Sequence, residues 1–315
     1  MPHYVKKISI ILFLTCAAPC LTACDESSTF NFMNSRETTF TEMEGTPYFI
    51  ANNPDRYALA DFYDNTSVEQ LLRGNQNGDT TAKFLLGLIY AELITGYEEY
   101  VDRSQGLPLV KESWKMGVVD AGSSLFTAYN WGIGTRINKP LALAYLQASA
   151  EKGYILSQKR LGFAYLGSDP RGLVEQDIQQ ARIWFTRAAE QGDAESATQL
   201  AGIYQEGIGV PKDERAAFEW LKRAEHMPFN GFLSHRGLAN YYEKGIGTEV
   251  DLVQAYKYFD LQGTAGVPDK KRLEAQMTPE QVQQAIALSR AWQEENRTFF
   301  PSYYGLEHQS DGSYR

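Results

Sequence analysis

The sequence predicts an all-α protein, a solenoid of helix–turn–helix repeats, and three observations predict it. Gly-Ile-Gly occurs three times, at Gly132–Gly134, Gly207–Gly209 and Gly245–Gly247, each copy three residues after a tyrosine (Tyr129, Tyr204, Tyr242). The tyrosines are 38 residues apart from Tyr204 to Tyr242, and 75 apart, about twice that, from Tyr129 to Tyr204. Each turn precedes an Asn or Asp (Asn138, Asp213, Asp251) that opens a new apolar-periodic run. A fixed interval of this size means stacked supersecondary units, each burying its apolar face against the next.

The chain begins with a secretory-type segment. Lys6 and Lys7 flank Ile8 to Leu14, an apolar run shorter than the ~20 residues of a membrane-spanning helix. Leu21-Thr22-Ala23-Cys24 follows, and small residues before a cysteine at this place resemble a bacterial lipobox. That resemblance implies a signal peptide over 1–23, cleavage before Cys24, and lipidation (palmitate-type acyl chains) of Cys24. A mature protein of this kind is held at the periplasmic surface of the inner or outer membrane, with each buried methylene contributing roughly 0.8 kcal/mol. An Asp after the lipidated Cys, here Asp25, resembles the inner-membrane retention signal of enteric lipoproteins.

Cys16, Cys20 and Cys24 are the three cysteines, all within this segment. A chain starting at Cys24 therefore has no free thiol and no disulfide, which excludes a cysteine nucleophile or thiolate metal site. The full sequence carries 30 basic and 39 acidic residues. Removing 1–23 takes away Lys6 and Lys7 and no acid, so 28 − 39 = −11 remains. Such a surface disfavours nucleic acid and anionic headgroups.

Residues 24–66 lack a sustained period. The stretch from 25 to about 45 reads as a tether, and residues 46–66, with their aromatic content, as an N-terminal cap on the first repeat. About five repeats then cover 67–265. Their first helices carry Leu and Tyr at i, i+4: Leu86/Tyr90, Leu125/Tyr129, Leu161/Tyr165, Leu200/Tyr204 and Leu238/Tyr242. Those two positions share one helix face. Second helices show Ala142-x-x-Tyr145-Leu146, Ala181-x-x-Trp184-Phe185 and Ala217-x-x-Trp220-Leu221, with apolar positions at i, i+3, i+4, i+7. Gly153 and Gly192 read as left-handed C-terminal caps. Asn138, Asp213 and Asp251 stand where an N-cap belongs.

Taken together these anchors resemble the Sel-one-like repeat (SLR), a relative of the tetratricopeptide repeat. The pattern is Leu-Gly-x-x-Tyr-x-x-Gly-x-Gly-Val, then Asp, then Ala-x-x-Trp-Tyr-x-x-Ala-Ala-Glu-x-Gly, and Leu200 to Ala224 follows it almost throughout. The resemblance implies a right-handed α-solenoid. The first repeat departs from it at Leu93 to Gln105, and the third at Gly167 to Gln176. Thr278-Pro279-Glu280 opens a last helix to about Asn296, Thr as N-cap and Pro at the first helical position. Residues 266–315 are thus expected to be a capping helix followed by an aromatic tail.

Chemistry is sparse. The glycines Gly132, Gly134, Gly153, Gly192, Gly207, Gly209, Gly245 and Gly247 are read as structural repeat turns. None of the Gly-x-Gly copies follows a strand pattern or carries Gly-Lys-Ser/Thr, so they are not phosphate cradles. His226 and His235 flank one turn without a Cys or a suitably spaced carboxylate, and are expected at the surface rather than on a metal. No Gly-x-Ser-x-Gly elbow appears. The reading is therefore no enzyme, no cofactor and no metal.

The remaining function is binding. By analogy with tetratricopeptide solenoids, first-helix positions beside the Leu/Tyr stripe line a concave face. These are Phe84, Leu88, Asn130, Trp131, Lys159, Phe163, Gln205, Arg236 and Asn240, with Phe84, Leu88, Trp131 and Phe163 as the apolar anchors. The expected partner is a protein. The family resemblance implies two roles: scaffold or adaptor of an envelope assembly, as in polysaccharide export, or immunity protein neutralising a secreted, lipase-type effector. A hydrolytic enzyme and a peptidoglycan-binding SLR protein are the alternatives.

Overall fold

The structure, a computed structural model, describes residues 39–298 apart from 56–58, 60–61, 63–64, 169–171 and 230–234. Cys24, its lipobox and the tail from Phe299 lie outside the described residues. Helices account for the fold, and β-structure among the described residues is limited to two isolated bridges. The chain divides into two compact units, Met1–Glu175 and Gln176–Arg315.

The N-terminal unit contains α1 (Val68–Gln76), α2 (Thr80–Tyr90), α3 (Arg103–Lys115), α4 (Asp120–Trp131), α5 (Lys139–Glu151) and α6 (Ile155–Leu166). The C-terminal unit contains α7 (Ile178–Glu190), α8 (Ala194–Glu206), α9 (Glu214–Ala224), α10 (His235–Lys244), α11 (Leu252–Asp260), α12 (Val267–Glu274) and α13 (Pro279–Glu295). Within the N-terminal unit each helix packs on the next; in the C-terminal unit the same holds from α7 to α12, and α13 packs back on α11. The class is all-α, as expected.

The Gly-Ile-Gly turn has a mechanical explanation. The tyrosine carbonyl at the end of a first helix accepts the N-cap amide of the second: Asn138 N to Tyr129 O, Asp213 N to Tyr204 O and Asp251 N to Tyr242 O, each 2.9 Å. The N-cap side chain then accepts from the third residue of its helix, Leu141 N at 3.1 Å, Ala216 N at 2.9 Å and Gln254 N at 3.0 Å. All eight glycines assigned to turns adopt positive φ. Repeats lacking the Gly-x-Gly motif return to the same geometry. Asp102 and Asp177 cap α3 and α7 with φ of −134° and −145°, against −143°, −141° and −137° at Asn138, Asp213 and Asp251. Asp102 N also reaches Tyr90 O, at 3.1 Å. The divergent loops change length without moving the helix start.

The expected tether, 25 to about 45, is corrected over its described part. From Phe40 onward the segment is packed on α3, α4 and α5. The Phe40 ring lies 4.9 Å from that of Tyr145 and 6.5 Å from that of Trp114. Trp114 Nε1 donates to Thr41 O (2.6 Å), and Thr41 N donates to Tyr145 Oη (3.1 Å). Further on, Ile50 N and Ala51 N each donate to the Asp120 carboxylate at 2.9 Å. Burial pushes the Asp120 carboxyl up, and these two amides oppose it.

One pattern unites this segment with the second unit. Each inter-repeat turn leaves a glycine carbonyl and the amide two residues on without a helical partner. At Gly117/Val119 the main chain of Tyr48 satisfies both, at 2.9 and 3.0 Å. At Gly153/Ile155 the Asn52 side-chain amide does the same, at 3.5 and 3.0 Å. At Gly192/Ala194 the main chain of Phe229 does so, both at 3.2 Å. Polar backbone at the helix junctions is thereby covered by extended chain, as buried backbone groups require.

Candidate functional site: the first-helix faces

In the N-terminal unit the expected groove residues separate into two classes. Phe84 and Leu88 are 0% and 2% exposed and belong to the core. Their helix, α2, is apolar all round, and such a helix is covered on every side: seven of its eleven residues are buried, with α1 and α3 against it. Asn130 and Lys159, at 5% and 9%, are also buried, so they offer no open polar rim. Trp131, by contrast, is 43% exposed at the end of α4, and Phe163 is half-buried on α6. Two of the four expected anchors are therefore accessible and two are structural.

The unit also contains a residue that sequence reasoning passed over. Arg160 of α6 reaches across to α4, where its Nη1 meets Ser123 Oγ at 2.7 Å, Thr127 Oγ1 at 3.4 Å and Ser123 O at 3.5 Å. Its guanidinium lies over the Phe126 ring, 5.5 Å from the centroid. Burial pulls its pKa below the ordinary arginine value, although the residue as a whole keeps some exposure. The signal in the sequence was the residue before each Leu anchor: Leu85, Ser124, Arg160, Gln199 and Gly237. Only the third repeat places a charge there.

In the C-terminal unit the expected polar positions are engaged within the protein. Gln205 accepts from Tyr241 Oη at 2.7 Å. Arg236 pairs with Asp269 at 3.1 Å and donates from Nε to Gln262 at 3.0 Å. Asn240 is half-buried. His235 departs from its expected surface position. It is 7% exposed, with Tyr258 and Trp292 ring centroids at 6.3 and 5.1 Å. Burial pulls its imidazole down to about 4, so it is neutral at physiological pH. Nearby, burial pushes the Glu225 carboxyl up, but Lys222, Lys257 and Tyr258 outweigh that and hold it below the usual range. Lys222 Nζ and Tyr258 Oη sit 2.9 and 2.8 Å from Glu225 Oε2. Every charge in this cluster has a counter-charge, which marks it as a device for joining α9 to α11.

Among the described residues no group of three or more potential ligands is placed to hold a metal ion. No described helix is long and apolar enough to cross a membrane.

Comparison with known proteins agrees with this architecture. The Sel1 repeat matches residues 122–154, 155–193, 194–227 and 233–261. An uncharacterized protein of Neisseria meningitidis is 28% identical over 158 residues, covering 50% of this chain and 32% of that protein. An exopolysaccharide production negative regulator of Rhizobium leguminosarum is 37% identical over 105 residues, covering 29% of this chain and 38% of the regulator. The matches thus span about a third of each of these relatives. Among solved structures, a protective antigen of uropathogenic Escherichia coli with an SLR fold aligns with a TM-score of 0.57 at 26% identity. That alignment covers 72% of this chain and 48% of the antigen.

Proposed function

This chain is a Sel1 repeat protein, and from that premise we propose that it is a non-catalytic adaptor whose partner protein docks on the first-helix face of the N-terminal unit. The single observation that carries the reading is Trp131. It is 43% exposed, whereas the neighbouring repeat aromatics Tyr129 and Tyr145 are at most 1% exposed. A Trp exposed to this degree at a helix end presents ring surface that a docking surface uses well.

The reading is tested by capturing the partner from envelope extracts with the full chain and measuring its affinity for a Trp131→Ala/Phe163→Ala double variant. A loss of about tenfold or more is expected, because truncated aromatic anchors at hot spots typically cost 2 kcal/mol or more. Wild-type affinity in a folded double variant would remove this face from consideration.

Similarity to a regulator of exopolysaccharide production supports placing the adaptor in an envelope assembly rather than in immunity. Recovery of a lipase-type effector as the captured partner would reverse that preference. We also propose a periplasmic location with anchoring through Cys24, supported by Leu21-Thr22-Ala23-Cys24 after an apolar segment. Cys24→Ser is expected to release the protein from the membrane fraction and abolish labelling by a fatty-acid probe. Unchanged fractionation and labelling would exclude the anchor.

A further inference from the structure

Arg160 holds a positive charge in a place where nothing in the repeat calls for one. The corresponding residues of the other four repeats are uncharged. All three of its hydrogen bonds use Nη1 and go to neutral oxygens of Ser123 and Thr127. No ion pair of this guanidinium with a carboxylate is present among the described residues; its other electrostatic neighbours there are the face of Phe126 and the hydroxyl of Tyr154. Partly buried arginines are ordinarily matched by a carboxylate or phosphate, because an uncompensated charge out of water is costly. The Nε/Nη2 edge, the edge that grips a carboxylate with two parallel hydrogen bonds, makes no hydrogen bond among the described residues.

Its surroundings suit a polypeptide better than a free anion. Trp131 lies four residues beyond Thr127 on α4, and Phe163 three residues beyond Arg160 on α6, so each shares a helix face with one end of the Arg160 bridge. Trp131 is exposed and Phe163 half-buried. A fixed guanidinium on helices that also carry partly exposed aromatic rings matches an acidic side chain flanked by apolar ones. The chain's net charge of −9 does not override this at contact range, because exposed charges are screened beyond about 8 Å at physiological ionic strength.

We propose that Arg160 is a carboxylate-recognition site, and that the segment docking on this face presents an Asp or Glu beside apolar residues. The proposal rests on the reading of the first-helix face as the docking surface. The test begins with a displayed library of random dodecapeptides selected on the immobilised full chain. A selected peptide is then synthesised in its acidic form and with Glu replaced by Gln, and both dissociation constants are measured by calorimetry. The expected result is enrichment of Asp/Glu next to apolar residues, and a preference of about tenfold or more for the acidic form. Arg160→Gln should remove that preference while leaving the Gln-form affinity unchanged, which also shows that the variant is folded. Arg160→Lys, which keeps the charge but loses the fork, should retain less than the full preference.

Peptides without acidic enrichment, failure to select any peptide, or an acidic preference that survives Arg160→Gln each overturn the proposal. Inorganic phosphate is run as competitor; displacement of the peptide by phosphate that itself binds only when Arg160 is present would make this a phosphate site instead. Binding that is lost in Trp131→Ala/Phe163→Ala but indifferent to Arg160 would overturn this proposal and leave the docking face standing. An Arg160-dependent acidic preference indifferent to those aromatics would do the reverse.

Discussion

Lys270→Ala is expected to be among the most destabilising single substitutions in the C-terminal unit, by about 3–5 kcal/mol. Lys270 and Asp260 are each 2% exposed at the side chain, and Lys270 Nζ lies 2.6 Å from Asp260 Oδ1. Ser289 Oγ donates to the other carboxylate oxygen at 2.6 Å, so one buried carboxylate joins α11, α12 and α13. Removing the ammonium takes the 2.6 Å counter-charge from a carboxylate held out of water, and the loss is the desolvation penalty rather than the attraction alone. A triple replacement, Asp260→Leu, Lys270→Met and Ser289→Ala, should be much milder, since apolar groups of similar volume need no compensation. Urea unfolding followed by circular dichroism measures both. A Lys270→Ala midpoint equal to wild type, or a triple variant no better than the single, would show that the pair does not fasten this end of the chain.

Gly247→Ala should be nearly as damaging. Gly247 has φ of +66°, and a Cβ built there would sit 2.0 Å from Glu214 O and 2.4 Å from Glu214 C. The second glycine of the turn is therefore the point at which one repeat meets the start of the preceding repeat's second helix. Left-handed backbone alone costs a side-chain-bearing residue roughly 1–2 kcal/mol, and displacing backbone adds to it. The total expected is about 3 kcal/mol or more, or a Tm lowered by roughly 10 °C. Gly202, inside α8, provides the contrast: a Cβ there meets nothing within 4 Å. Gly202→Ala should raise stability by roughly 0.5–1 kcal/mol through the unfolded chain's lost freedom. Equal effects of the two substitutions in thermal melts would mean that the turn is a mere linker.

The contrast between these glycines shows how far the fold was legible. Gly-x-Gly at a fixed distance from a Tyr and an Asn or Asp identified the turns, because each residue has a local job: positive φ, a carbonyl for the next N-cap, a side chain for the first helical amides. Asp102 and Asp177 were missed as caps because their loops change length, which breaks the spacing that makes the others visible. The buried Asp260–Lys270 pair left no sequence signal, since Lys270 and Ser289, which meet Asp260, lie on helices outside the repeat pattern.

What the sequence by itself determined is local and periodic: all-α class, repeat turns, helix starts and the Leu/Tyr stripe that must face inward. These follow from the 3.6-residue period and from backbone stereochemistry, which need no knowledge of neighbours. The tertiary structure alone decided which positions beside that stripe meet solvent. Phe84 and Trp131 share a predicted role, yet one is 0% and the other 43% exposed, because α2 is covered by helices on both sides while Trp131 stands at a helix end. It also decided that Phe40 to Asn52 clasps the turns of the first unit, and that Arg160 bridges two first helices without a carboxylate among the described residues. Burial and charge matching depend on what packs from outside the element, and a period along one chain segment carries no information about that.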